Sequence, residues 1–173
     1  GPLETYSPKF LSVLDHLTDP ELSGLHLVYS QFRTLEGIGI LKLVLEANGF
    51  AEFKLSKDKK GEWTVDIKEE DMLKPKFALY TGTEEADEKE IIRNIYNSSW
   101  EFVPKSIVDA IQPLGKNNFM GEVIKVLMIT ASGAEGISLK NCRFVHLIEP
   151  YWHPVLLLTF LMMLCSLQNQ LMI

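Results

Sequence analysis

The sequence is poor in cysteine. Cys142 and Cys165 are the only two, and neither has a close-set Cys or His partner. A disulfide framework and a cysteine-based zinc site are thereby excluded, and a reducing, intracellular compartment is expected. Positive charge is also scarce, with 17 Lys and Arg against 23 Asp and Glu, for a net charge of −6. A self-sufficient DNA or RNA binder normally shows a basic face. What this deficit leaves open is contact with phosphate through backbone N–H groups and hydroxyls. The four histidines, His16, His26, His146 and His153, make no ligand spacing, so no bound metal is expected. The apolar run Val155 to Cys165 reaches only about half of the ~20 residues that a membrane helix requires. No membrane partner is expected.

Phosphate-gripping signatures are missing too. A GxxxxGK[ST] loop occurs nowhere, and no Asp-Glu pair ends an apolar strand. The chain therefore lacks, by itself, the machinery for holding Mg-ATP. Gly37-Ile38-Gly39 begins like a dinucleotide fingerprint, but no third glycine follows and the stretch lies in a helical pattern. A free-standing Rossmann-type enzyme is disfavoured on that ground. No signal peptide opens the chain. Gly1-Pro2-Leu3-Glu4 reads as a protease-cleavage scar, and the remainder as a domain taken from something larger.

What is present suits one globular domain. The 173 residues are 46% hydrophobic and 23% charged, enough for a sizeable core. Strands are expected at Leu25–Tyr29, Lys76–Tyr80, Val123–Thr130 and Phe144–Ile148, from short apolar runs bounded by turn residues. Helices are expected over Leu35–Asn48, stopped by Asn48-Gly49, over Glu84–Asn97, whose first acids suit the helix dipole, and near Ser106–Ile111. Strands alternating with helices imply an α/β fold with a parallel sheet of about five or six strands. Lys54–Lys74 interrupts the rhythm, with Trp63–Ile67 alternating as a short edge strand would, and Pro113–Asn118 reads as a loop.

Three expected strand ends carry small and hydroxyl residues: Ser30-Gln31-Phe32, Thr81-Gly82-Thr83 and Thr130-Ala131-Ser132-Gly133. Ligands of doubly wound sheets bind beyond the carboxyl ends of the strands, so these turns should share one edge. Hydroxyls and free N–H groups there suit phosphate oxygens, although helix capping alone would use the same residues. Gly133 and Gly136 permit a close backbone approach or a tight strand-to-helix turn. Glu135 and Glu149 read as solvated or structural carboxylates rather than an acid–base pair. Trp152 and Pro154 offer either a stacking surface or a packed strand exit.

Taken together, three segments resemble the second RecA-like domain of superfamily 2 helicases and translocases, of the Swi/Snf-related and poxvirus-type DNA-dependent ATPases of large DNA viruses. HLVYSQFRTLEGIGILKLVLEANGF is similar to motif IV and its following helix. FALYTGTEEADEKEIIRNIYN is similar to the strand, Gly-Ser/Thr turn and acidic helix of that family. VLMITASGAEGISLKNCRFVHLIEPYWHP is similar to motif V and the Trp-x-Pro segment behind it. The resemblance spans Leu25 to Pro154 of a domain expected over residues 5–154, with looser insertions near 54–74 and 100–118. It implies that Ser30, Gln31, Thr81, Gly82, Thr83, Thr130 and Ser132 face the phosphate backbone of one nucleic-acid strand, DNA in that family. It also implies that Gly133, Glu135, Gly136 and Ser138 couple this contact to nucleotide. ATP and Mg would be bound mainly by a preceding RecA-like domain of the same parent chain. The setting implied is viral transcription or replication, in host cytoplasm or virion.

One departure from the family is plain. After Trp-x-Pro a Q-x-x-G-R-x-x-R motif should follow, whose arginines stabilise transition-state charge for ~10³–10⁵ in rate. Here the last Arg is Arg143, and residues 155–173 are an apolar tail without a cation. Leucine cannot replace a planar donor fork, so no catalytic residue is assigned. Three accounts of the tail stay open: a shift of reading frame after Val155, a true degenerate relative that binds without hydrolysing, or some other alteration of the motif. The rival reading is a catalytically inactive RecA-like module that docks proteins through its apolar tail.

Overall fold

The computed structural model describes residues 8–31, 37–134 and 137–149, and the backbone of 170–172. The elements run α1 (Pro8–Thr18), β1 (Leu25–Ser30), α2 (Ile38–Ala47), β2 (Ala51–Glu52), β3 (Leu55–Lys57), β4 (Trp63–Val65), β5 (Lys76–Tyr80), α3 (Ala86–Tyr96), α4 (Lys105–Ile111), β6 (Val126–Thr130), β7 (Cys142–Leu147) and β8 (Gln170–Met172). Six strands form one sheet in the order β2-β5-β6-β1-β7-β8, and each neighbouring pair is parallel. The fold is thus the α/β arrangement expected.

Period-two alternation in the strands builds two cores. Leu25, Leu27 and Tyr29 of β1 point to one face, with Ala78 and Tyr80 of β5 and Leu127 and Ile129 of β6. There they meet Ile91, Ile92, Ile95 and Tyr96 of α3 and Ile107 and Ile111 of α4. Val28, Phe77, Val126 and Met128 point the other way, against Phe10, Val13, Leu14 and Leu17 of α1 and Leu41, Val44 and Leu45 of α2. A strand covered on both faces reads as a nearly continuous apolar run, which is the pattern of β1 and β6.

Several boundaries differ from expectation, each for a visible reason. Val123 and Ile124 are buried but precede β6, because the Asn118 side chain takes their hydrogen bonds. Its Oδ1 accepts from Val123 N (2.9 Å) and Ile124 N (2.8 Å), and its Nδ2 donates to Ile124 O (3.0 Å) and Tyr96 O (3.3 Å). Trp63–Val65 is not an edge of the main sheet. It pairs antiparallel with β3 in a separate hairpin, stacks its Trp63 ring under the Lys57 ammonium and receives the Ser106 hydroxyl at Trp63 O. The sheet edge is instead β2, too short to leave a sequence pattern. Helix α1, also unanticipated, closes the second core. Gly37 is the N-cap of α2, so the Gly37-Ile38-Gly39 stretch belongs to a helix start. The tail contributes the backbone of β8, which pairs with β7; residues 155–169, Trp152 and Pro154 lie outside the described residues.

Candidate nucleic-acid interface

Parallel register brings the hydroxyl-bearing strand ends to one edge. Ser30 stands opposite Thr130, and Tyr80, just before Thr81, stands opposite Ile129. The Thr130 hydroxyl donates to Thr81 O at 2.9 Å and the Ser132 hydroxyl donates to the same carbonyl at 2.8 Å. Each hydroxyl has one proton, so with both directed at Thr81 O their own 3.1 Å contact sets two lone pairs side by side. A Cβ built on Gly82, at φ +87°, would come within 3.0 Å of Ser132 Oγ. The Thr81–Thr83 and Thr130–Gly133 turns therefore touch, as expected.

Gly133 is a glycine for a packing reason. A Cβ there would lie 2.0 Å from Tyr80 O and 2.7 Å from Tyr80 C, both backbone atoms of a central strand. Its N–H and that of Ala134 both donate to Thr130 O, which tightens the turn.

Exposure divides the expected contact residues into two groups. Ser30, Thr81 and Thr130 are buried, whereas Gly82, Thr83 and Ser132 are exposed and Gln31 is half-exposed. Two carboxylates hold Ser30 and Thr81, and Thr130 is held by Thr81 O. Glu149 accepts the Ser30 hydroxyl at 2.6 Å and Gln31 N–H at 2.9 Å. Glu84 accepts Thr81 N–H at 2.7 Å, the Thr81 hydroxyl at 2.7 Å and Gly82 N–H at 3.0 Å. Glu84 thus folds back on the turn ahead of α3 instead of serving the helix dipole. The spacing Thr81-x-x-Glu84 is that of a capping box, and it is the signal by which the role of Glu84 can be read. The structural reading of Glu149 agrees with its bonds. Nothing local announces those bonds, since its partners lie 118 and 119 residues away.

Of the residues expected to couple this edge to nucleotide, two lie among the described residues. Glu135 and Gly136, like Phe32 of the first strand end, lie outside the described residues. Ser138 is exposed, and its carbonyl accepts from Asn97 Nδ2 at 2.9 Å while Lys140 N–H donates to Asn97 Oδ1 at 2.7 Å. Asn97, at the end of α3, therefore clamps the segment that follows the glycine turn. Cys142 is buried, and its sulfur lies 3.5 Å from Phe144 O; Cys165 falls outside the described residues. His16, His26 and His146 come together although their spacing announces no cluster. They lie on the core face lined by α1, and no metal-ligating group of three or more side chains exists among the described residues. No helix among those residues is long and apolar enough to cross a membrane.

The sheet order, the helices on both faces and the small-residue turns at one edge define a RecA-like α/β domain. No protein-family model matches the chain. It is 33% identical over 171 residues to a termination factor NPH-I homolog of African swine fever virus (isolate Pig/Kenya/KEN-50/1950), an alignment covering 86% of the chain and 21% of that protein. It is 26% identical over 151 residues to a protein of Acanthamoeba polyphaga mimivirus that bears the name of an ATP-dependent RNA helicase, covering 86% of the chain and 14% of that protein. The chain is homologous to these two proteins of large DNA viruses. It spans about a fifth or less of the length of these relatives.

Proposed function

We propose that the chain is the second RecA-like domain of an ATP-dependent nucleic-acid translocase and that its carboxyl edge holds the phosphate backbone of one DNA strand. The observation that carries this reading is the contact between two turns, with Gly82, Thr83 and Ser132 exposed on a platform fixed by Thr81 O. Ser30, Thr81 and Thr130 form that platform from beneath. Such contacts follow sugar and phosphate, so little sequence preference is expected. Gly133, Glu135, Gly136 and Ser138 would couple the platform to nucleotide. The phosphate loop and metal-holding carboxylates would come from a preceding domain, and ATP with Mg would bind chiefly there. The relatives' names, a termination factor homolog and an ATP-dependent RNA helicase, support an ATP-driven nucleic-acid setting, while the choice of DNA rests on the resemblance of the motifs.

The test is fluorescence anisotropy of labelled duplex DNA with the 173-residue chain over a salt series. Phosphate contact requires affinity to fall linearly in log–log form as salt is raised. Ser132→Asp, which sets a like charge on the platform, is expected to weaken binding by about tenfold at low salt. Binding that holds or tightens with salt, as apolar docking does, and is indifferent to S132D would refute the reading.

A further inference from the structure

Asn94, on the inner side of α3, is 5% exposed, and its Nδ2 is the one buried side-chain nitrogen or oxygen among the described residues that lacks a hydrogen-bond partner. A buried donor left unmade is costly, so such an atom calls for an explanation. Asn94 lines a depression of about 210 Å³ together with Arg93, Asn97, Ser99, Ser138 and Lys140. Phe102, largely exposed, stands at its border.

The chemistry of this lining is one-sided. Both ends of the Asn97 amide are engaged, by Ser138 O and Lys140 N, which fixes the far wall against α3. What remains is a set of donors: the Asn94 amide, the Arg93 guanidinium, the Lys140 ammonium and the hydroxyls of Ser99 and Ser138. The one acid in the lining, Glu90, pairs with Arg93 at 3.6 Å, a partly exposed contact too long for a hydrogen bond. Lys140 has no ion pair among the described residues. A water molecule could accept from Asn94 but would leave the Lys140 ammonium without a counter-charge, and with Glu90 set against Arg93 the lining still carries a net charge of +1 in a chain of net charge −6.

We propose that this depression is an oxyanion site of the phosphate class, with Asn94 Nδ2 as its buried donor and Arg93 and Lys140 as its charge. It is separate from the carboxyl edge. Helix α3 runs from that edge back toward the amino ends of the strands, where the Tyr96 hydroxyl donates to His26 O. Lys140 likewise precedes β7. The source of the phosphate is either a nucleic-acid backbone leaving the edge or a small phosphate-bearing molecule.

The experiment is a nuclear magnetic resonance titration of the ¹⁵N-labelled 173-residue chain with inorganic phosphate, ionic strength being held constant with chloride. The expected result is a saturable shift of the Asn94 side-chain amide together with the Ser138 and Lys140 backbone amides. The double variant Arg93→Gln, Lys140→Gln, at a half-buried and an exposed position, should weaken that response by about tenfold or more. No saturable shift, an equal shift with chloride alone, or a shift unchanged in the double variant would each overturn the proposal. A parallel titration with a short oligonucleotide identifies the source. Shifts at these resonances at lower concentration than phosphate mark a backbone contact, and their absence beside a phosphate response marks a small ligand. Resonances of Gly82, Thr83 and Ser132 report the carboxyl edge independently, so failure of either site is distinguishable.

Discussion

Lowering the pH from 7.5 to 5 should cost this domain much of its stability through two histidines. His26 and His146 are buried side by side, with His26 Nδ1 2.9 Å from His146 Nε2 and His26 Nε2 3.0 Å from Leu22 O. The carbonyl can only accept, so His26 carries its proton on Nε2, and its neutral ring accepts at Nδ1 from His146 Nε2–H. Protonating His26 at Nδ1 removes the acceptor of this bond, and protonating His146 keeps the bond but places an unpaired charge among buried groups. Burial pulls His26 down from 6.5 to about 4, with Leu22 O opposing and Lys125, His16 and Arg143 adding to the fall. Burial, then His26 and His16, takes His146 from 6.5 to about 3. Both shifts are downward, so the stabilisation is complete above the unfolded value of 6.5. It is lost as the pH falls below that value and levels off beneath the folded ones. At pH 5 each ring contributes a loss of about 2 kcal/mol, roughly 4 kcal/mol for the pair. That is a large share of the ~5–15 kcal/mol available to an ordinary domain. Near pH 5.5 the slope should be about 2 kcal/mol per pH unit, equivalent to nearly two protons taken up on unfolding. Urea denaturation at half-unit pH steps measures it, in a window above most carboxylate titration. His146→Gln, which keeps a donor for His26 Nδ1, should remove about half the slope. A slope under half a proton, or one indifferent to H146Q, would refute the reasoning.

Three other outcomes can be measured with the same material. Gly133→Ala places a Cβ 2.0 Å from Tyr80 O and should destabilise by about 3 kcal/mol or more, against about 1–2 kcal/mol for Gly82→Ala, where the strain is mainly the positive φ; equal losses in urea denaturation would contradict this. Asn118→Leu leaves the N–H groups of Val123 and Ile124 without their acceptor and should cost about 3 kcal/mol, read as a lower urea midpoint at unchanged m value. The isolated chain should hydrolyse ATP at background rate with or without DNA, and DNA-stimulated phosphate release in a coupled assay would overturn the division of labour proposed between domains.

Much of the fold was legible because its central strands are buried on both faces. LHLVYS, KFALY and VLMIT are short apolar runs ending in hydroxyl residues, and each forms a strand whose end lies at the common edge. The outlying parts were illegible because they depend on partners distant in sequence. Ala51–Glu52 is a strand only because β5 stands beside it, and Val123-Ile124 leaves the ladder only because Asn118 intervenes. The same holds at the edge. The positions of the small residues could be read, but not which hydroxyls are buried, since burial follows from the register of β1, β5 and β6. The histidine cluster joins α1, β1 and β7, and no spacing along one chain segment can announce it.

The Glu84 bonds bear on how fast a strand could leave this edge. Thr81 N–H and Gly82 N–H already hold a carboxylate tethered two or three residues away. Any phosphate oxygen that takes those donors does so by exchange, against a competitor whose effective concentration never dilutes. The net free energy of such a contact is a difference between two similar anions, and the departing phosphate is replaced at once by the returning side chain. Neither arrival nor departure strands an unpaired N–H, which keeps the barrier low in both directions. An edge made this way would exchange strands readily, a property suited to stepping and poorly suited to storage.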